Sequence, residues 1–596
     1  MHAMNKAAPK RGRFEPWILV AVLLAALAVR IVFLIQLGRS ELSGTLSLDS
    51  EFYYTVARNL SAGGSLGAGA FDFNPLYPPF LVAVFRFFGQ GLLAPRIIQL
   101  LLGLCTIALL YIGGLRLVEG PRKGRPSGSL AAVSASTLAL LYSQFVLYEG
   151  LLLSTAFEVF LIAASFVLAL ALDEDLRGER PIALGTRRIP RWIAGLLLGA
   201  LCGLGALARP NLFLLLTAAI PLWLAVRSRR KWLGLAPAVS CIAGAALFLA
   251  PPIVHNARAT GRLVPVTAHG GINFYLGNRS GGSGVFQALD GMPGDARGSL
   301  EEARRRAERQ TGRRMTNAEA SDYYMRRALG EISRDPAAWL RLMGRKLLYF
   351  FNGVELYDVP NVYFCEIACS VLRLLLVPFS VIAPLAICGF VVLFRSGRNR
   401  SVVAMYLGCA VVSVLLFYVN TRYRLPSVPL LILLASFFIA WAAREVSRRR
   451  LKNVAITAAA AVALFVLVSN RSFVKMNHSA AYAFLGNHYI ETGDEAKAEQ
   501  AFAEAYRRDP RKIEAILNYA RILGQRGKSV ESVDMFARAY ERMPHFPHVA
   551  LEYGRALESL GRTDAARRLY LEAAASGRAD ERELARTLLE RLERAP

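Results

Sequence analysis

Repeated apolar runs of membrane-spanning length constrain this chain more than any other feature. A helix needs about 20 apolar residues to cross the hydrocarbon of a bilayer. Spans are expected near Trp17–Leu37, Pro95–Leu117, Ser129–Leu147, Leu151–Leu172, Trp192–Ala208, Leu212–Val226, Leu233–Val254, Val371–Phe394, Val402–Val419, Leu425–Ala443 and Val454–Val468. By hydropathy that is about eleven spans. Pro79–Phe88 is apolar but too short to cross, and is expected to lie at the surface or dip into it. At 596 residues, 54% of them hydrophobic, most of the chain belongs in lipid and more than one domain fits.

The net charge of +27 invites a nucleic-acid reading, which the distribution of charge opposes. Basic residues cluster in alternate short loops: Lys6, Lys10, Arg11 and Arg13; Arg122, Lys123 and Arg125; Arg187, Arg188 and Arg191; Arg227, Arg229, Arg230 and Lys231; Arg395, Arg398 and Arg400; Arg444, Arg448, Arg449, Arg450 and Lys452. With about eleven spans these clusters share one side, and positive loops face the cytoplasm. The expected arrangement is a cytoplasmic N-terminus (1–16), external loops at 38–94 and 256–343, and an external C-terminal segment. The first span is long and no small-residue cleavage site follows it, so it reads as an anchor. Seven scattered cysteines show no metal-ligand spacing, and Cys365 and Cys369, four apart, suit packing better than a disulfide.

The stretch from Ser47 to Pro79 follows the first span and reads SLDSEFYYTVARNLSAGGSLGAGAFDFNPLYPP. Its D-x-E pair, Asp49 and Glu51, either caps the helix that follows or forms a site at the membrane surface; the two roles are compatible. Arg96, at the outer end of its span, either snorkels or meets an acid or phosphate. Glu149 reads as a turn residue, and Glu158, inside a span, as having a buried partner. Arg209 precedes Pro210 at a helix start, where a cation opposes the macrodipole unless an anion sits there. His269 opens the glycine-dense HGGINFYLGNRSGGSG, which suits turns or close approach to an anion but matches no phosphate-loop pattern. Glu355 and Asp358 are further acid candidates. Arg422, Tyr423 and Arg424 sit at one external helix junction, where guanidinium forks suit a phosphate.

Beyond Ala480 the composition becomes soluble and a repeat emerges. Gly493, Gly527 and Gly561 are 34 apart, as are Ala505, Ala539 and Ala573, and Phe502, Phe536 and Tyr570. A 34-residue period is the tetratricopeptide signature. Three repeats over 480–596, with Glu581–Arg594 as a capping helix, would give a concave surface for a protein partner. The expected fold class is all-α: a polytopic transmembrane bundle followed by an α-solenoid.

LDSEFYYTVARNL, NPLYPPFLVAVFRFFG and APRIIQLLLGLCTIALLY, in that order, resemble the N-terminal part of polytopic glycosyltransferases of the GT-C fold, in the protein mannosyltransferase and aminoarabinose-transferase-like group. GGINFYLGN, KLLYFFNGVELYDVPN and RYRLPSVPLL are similar to later stretches of bacterial members with tetratricopeptide tails. The resemblance covers roughly residues 15–470. It implies a catalytic acid at Asp49, with Ser50 separating it from Glu51 where relatives carry adjacent acids. It implies a polyprenyl-phosphate sugar donor, an acceptor that is a lipid, glycan or protein, and inversion at the sugar. Arg96, Arg209, Arg422 and Arg424 would serve the leaving phosphate, and a divalent ion (Mg or Mn) on Asp49 and Glu51 is left open. The competing readings are a transporter or flippase of a lipid-linked glycan, and a scaffold presenting the repeats.

Overall fold

The computed structural model describes residues 16–40, 43–44, 46, 49–65, 69–118, 126–184, 187–227, 231–289, 296–356, 365–366, 368–396, 399–470, 479–544, 546–576 and 579–594. The basic cluster at Lys6–Arg13, that at Arg122–Arg125, and Asp358 lie outside these residues. The described chain is almost wholly helical, as lipid demands of a backbone that must satisfy its own polar groups. The one sheet among the described residues is a two-stranded antiparallel ribbon, β1 (Ala183–Leu184) with β2 (Arg187–Arg188). Two compact units divide the chain: Met1–Gln287 with Ala303–Val474, and Ala288–Glu302 with Lys475–Pro596.

In chain order the first helices are α1 (Pro16–Arg39), α2 (Asp49–Ser61), α3 (Tyr77–Phe88), α4 (Leu93–Val118), α5 (Pro126–Leu140), α6 (Ser143–Gly150), α7 (Thr155–Leu176), α8 (Arg191–Ala208), α9 (Pro210–Arg227) and α10 (Lys231–Thr260). Then come α11 (Gly270–Asn278), α12 (Ala296–Thr311), α13 (Asn317–Arg334), α14 (Pro336–Phe351), α15 (Phe379–Ser396), α16 (Arg400–Leu415), α17 (Thr421–Arg424), α18 (Val428–Ser447) and α19 (Leu451–Ser469). Among the described residues, eight helices are long and apolar enough to cross a membrane, or nine if α5 and α6, bent by 51° at their junction, make one span. The protein is therefore a multi-pass membrane protein of all-α class. The expected count of about eleven included two helices that are apolar but shorter, Phe379–Arg395 and Arg400–Leu415. Hydropathy overran their ends: Val371 lies in a 3-10 segment (Ser370–Leu374) ahead of the first, and the second stops before Leu416.

Most of α7 and α18 is buried inside the bundle, whereas α1 and α19 expose most of their apolar side chains, which suits them to lipid. Helices α8 and α10 meet backbone to backbone. Gly195, Gly199 and Gly203 share one face of α8; a Cβ on Gly199 would lie 1.8 Å from the Cys241 carbonyl oxygen, and one on Gly195 2.3 Å from that of Pro237. Small residues four apart permit such contact, the usual basis of close helix pairing in membranes. Between the spans, the stretch around Phe71 is tied to the last turns of α10 and to the chain after it. The Phe71 amide donates to Asn256 Oδ1 (2.9 Å), the Ala268 amide to the Phe71 carbonyl (2.8 Å), and Asn317 Nδ2 to both Asp72 carboxylate oxygens (3.0 Å each).

The second unit contains three helix pairs and a last helix: α20 (Ser479–Glu491), α21 (Glu495–Arg508), α22 (Ile513–Gln525), α23 (Ser529–Arg542), α24 (Pro547–Ser559), α25 (Thr563–Ser576) and α26 (Ala579–Arg594). The first helices of the pairs begin 34 residues apart, and so do the second helices. Each pair turns on a glycine at positive φ, Gly493, Gly527 or Gly561, a conformation that side chains with a Cβ rarely adopt. Within pairs, the Phe502 ring fills the space above Gly486, and Tyr570 that above Gly554.

Candidate active site at the Asp49–Arg422 pair

Helix α2 begins at Asp49, where two acids in the first turn complement the positive helix end. Ser50, Tyr53 and Ala57, at helical spacing, are its buried face. Asp49 lies beside that face and is 25% exposed, while its partner Arg422 is only 4% exposed; Arg422 Nη1 donates to Asp49 Oδ2 at 2.6 Å. Tyr53, one turn on and buried, has its phenol pushed well up, first by burial and then by the charge of Asp49.

The short helix α17 carries three of the expected site residues. It starts where Asn420 Oδ1 accepts from the Tyr423 amide (2.6 Å), an N-cap, and it runs through Pro426 into α18. Consecutive helical residues point about 100° apart, so Arg422, Tyr423 and Arg424 go to different neighbours. Tyr423 stacks on Tyr418, with ring centroids 5.0 Å apart and hydroxyls 3.0 Å apart. The Arg209 guanidinium lies 4.4 Å from the Tyr423 ring centroid and donates to Glu158 at 2.6 and 3.2 Å. Arg424 turns inward: it donates to Glu355 Oε2 (2.7 Å) and to the Asn352 carbonyl (2.5 Å), and sits 3.7 Å from the Phe379 ring centroid. Thr421 Oγ1 also donates to Glu355 Oε2 (2.8 Å). The anion that Arg209 needs at its helix start is thus the protein's own Glu158.

Asp49, Arg422, Arg209 and Tyr423 therefore share a neighbourhood, while Arg96, Arg424 and His269 engage other partners. Arg96 donates to the carbonyls of Gly150 (3.0 Å) and Ser43 (2.9 Å). With Gln99, which donates to Glu149 and Leu151 carbonyls at 2.7 Å, it satisfies the end of α6 inside the bundle. Glu149 is no turn residue. It is buried at that helix end and takes a two-pronged bond from Arg30 (2.8 and 2.7 Å) over Gly103, where any Cβ would strike it. His269 presents Nδ1 to the Asp72 carbonyl, so that nitrogen carries the proton; burial lowers its tendency to charge. Glu51 is exposed, and residues two apart on a helix diverge by about 200°. Helical spacing alone does not turn Asp49 and Glu51 to one point, and no group of three His, Cys, Asp or Glu suited to a metal occurs among the described residues.

The glycine-dense segment serves another purpose. Helix α11 presses on the turn between α16 and α17: a Cβ on Gly277 would lie 2.0 Å from the Phe417 carbonyl oxygen, and Asn278 Nδ2 donates to the Leu416 carbonyl at 2.7 Å. Lys346, fully buried on α14, donates to the carbonyls of Leu415 (2.8 Å) and Phe417 (2.5 Å) and to Asn278 Oδ1 (3.1 Å). The Val419 amide donates to the Gly284 carbonyl (2.9 Å). Burial pushes the Lys346 ammonium down to about 7. These bonds fix the turn that presents Tyr418 to Tyr423. Sequence reasoning passed over Lys346 and Tyr53; the signals were a lysine on the apolar side of an amphipathic helix and a tyrosine one turn after Asp49.

No family model matches the chain, and no curated protein matches it in sequence. Among solved structures it is similar to the crystal structure of ArnT from Cupriavidus metallidurans bound to undecaprenyl phosphate, at 16% identity and a TM-score of 0.34, over 73% of this chain and 80% of that one. At that score the two helical arrangements diverge too far for the likeness to give any residue here a role.

Proposed function

We propose that the protein is a membrane glycosyltransferase that moves a sugar from a polyprenyl-phosphate donor to an acceptor hydroxyl at the outer face of the membrane, with Asp49 as its base. The observation that carries this reading is a partly open carboxylate resting on a buried guanidinium at the end of a membrane-spanning helix. Asp49 takes the acceptor proton as the hydroxyl attacks the anomeric carbon. Arg422 stabilises charge on the leaving phosphate, with Arg209 behind it. Attack opposite the phosphate inverts the sugar. The paired helices of the second unit suit the binding of a protein partner.

The test is transfer in nanodiscs. Radiolabelled polyprenyl-phosphate sugars and a membrane extract are supplied to wild type and to Asp49→Asn. Label moved by wild type alone supports the reading. Undiminished transfer by the variant removes Asp49 from the chemistry, and no transfer by folded wild type with any donor overturns the proposal.

Two features favour a second reading, a flippase for a lipid-linked glycan: the α5–α6 break and the buried Arg30–Glu149 pair at the far end of α6 resemble the broken helices and intramembrane charges of transporters. Flipping in proteoliposomes without acceptor distinguishes the two.

A further inference from the structure

In this structure Asp49 is paired, and its Oδ2 is occupied by the bond from Arg422 rather than turned to an acceptor hydroxyl. In this neighbourhood Asp49 pairs with Arg422 and Glu158 with Arg209. The two pairs differ in access. Glu158 has no exposure and grips Arg209 through both carboxylate oxygens, while Tyr423 covers the guanidinium. Asp49 holds Arg422 through Oδ2 and is the more exposed member of its pair, so solvent meets this pair on the carboxylate side.

We propose that Asp49 and a substrate phosphate are alternative occupants of one anion position on Arg422, so that the base is set free only when the phosphate arrives. The ligand's identity rests on the transferase reading above. The donor's phosphodiester matches the carboxylate's single charge, the leaving phosphate carries more, and a guanidinium fork binds either in two-pronged geometry. Once displaced, Asp49 can turn Oδ2 to the acceptor hydroxyl and take its proton. Transfer then balances. The acceptor oxygen–anomeric carbon bond forms and the anomeric carbon–phosphate oxygen bond breaks. Its electron pair stays on the phosphate, and the hydroxyl proton passes to Asp49. Loss of that proton to water restores the carboxylate, which competes for Arg422 and helps the lipid phosphate to leave.

The consequence has a distinctive sign: neutralising the base should tighten phosphate binding. Equilibrium binding of polyprenyl phosphate is measured in nanodiscs for wild type, Asp49→Asn, Asp49→Ser, Arg422→Gln and the Asp49→Asn/Arg422→Gln double variant, each checked for folding by its unfolding temperature. Both Asp49 variants are expected to bind about tenfold more tightly than wild type, the scale of one charge-assisted hydrogen bond. The gain should vanish when Arg422 is absent. Equal or weaker binding by the Asp49 variants overturns the exchange, as does a gain that persists without Arg422. Inorganic phosphate and polyprenol form further arms. The same order with inorganic phosphate supports exchange by the phosphate group alone, and the order with the lipid ester only supports exchange by a lipid headgroup. Binding of polyprenol in the same order overturns it. Transfer by wild type with no gain in binding keeps the transferase and removes the exchange. A gain without transfer keeps the exchange and removes the transferase.

Discussion

Glu158 is buried beyond the reach of water, so removing its charge strands Arg209 among apolar side chains. Glu158→Gln is expected to cost about 3–5 kcal/mol, the usual penalty for breaking a buried pair from one side, and to appear as a large fall in unfolding temperature in detergent. His269 sets a pH dependence. Burial holds its folded protonation below the ordinary value of 6.5, so between those two values the unfolded chain binds more protons. Stability is therefore expected to fall as pH drops below about 6.5, and His269→Gln should flatten that slope in thermal melts at pH 7.5 and 5.5. At this scale the sequence was partly legible. The need of Arg209 for an anion could be argued from Pro210 and the helix dipole alone. Which anion answers it could not, because Glu158 is 51 residues away and only packing brings it there.

Among elements, the α8–α10 crossing is the most exacting contact. Gly199→Ala drives a methyl into the Cys241 carbonyl, and the helices must part. A loss of about 1–3 kcal/mol is expected, read as a lower unfolding temperature, whereas Gly330→Ala, inside α13 with open space around it, should raise stability by about 0.5–1 kcal/mol. Helix identities came readily from hydropathy, since a long apolar run admits little but a helix in lipid. Their ends did not. Periodicity gives no warning that the span expected to end at Leu147 bends after Leu140, or that α16 stops at Leu415 where α11 and Lys346 seize its last carbonyls. The stop at Leu415 comes from side chains distant in sequence. The glycines of GGINFYLGN were visible as a sign of close approach, but the partner is a protein backbone where an anion was the natural guess.

For the molecule as a whole, the helix pairs of the second unit follow the 34-residue repeat closely, because each pair packs mainly on its neighbours and local spacing decides its form. Residues 479–596 expressed alone are expected to give a cooperative helical melt. Phe536→Ala, which empties a buried site in the middle pair, should cost about 3–5 kcal/mol in urea unfolding. In right-side-out vesicles, added protease should digest this segment if it lies outside, as the positive-inside reading expects; protection would place it in the cytoplasm. A different consequence follows from the buried pairs Arg30–Glu149, Arg209–Glu158 and Arg424–Glu355. Each ties two distant codons together. A lineage that changes one member first must pass through an ancestor burdened with a stranded charge, so these positions should drift in concert or stay put. An exchanged pair, Glu158→Arg with Arg209→Glu, should outlive either change made alone.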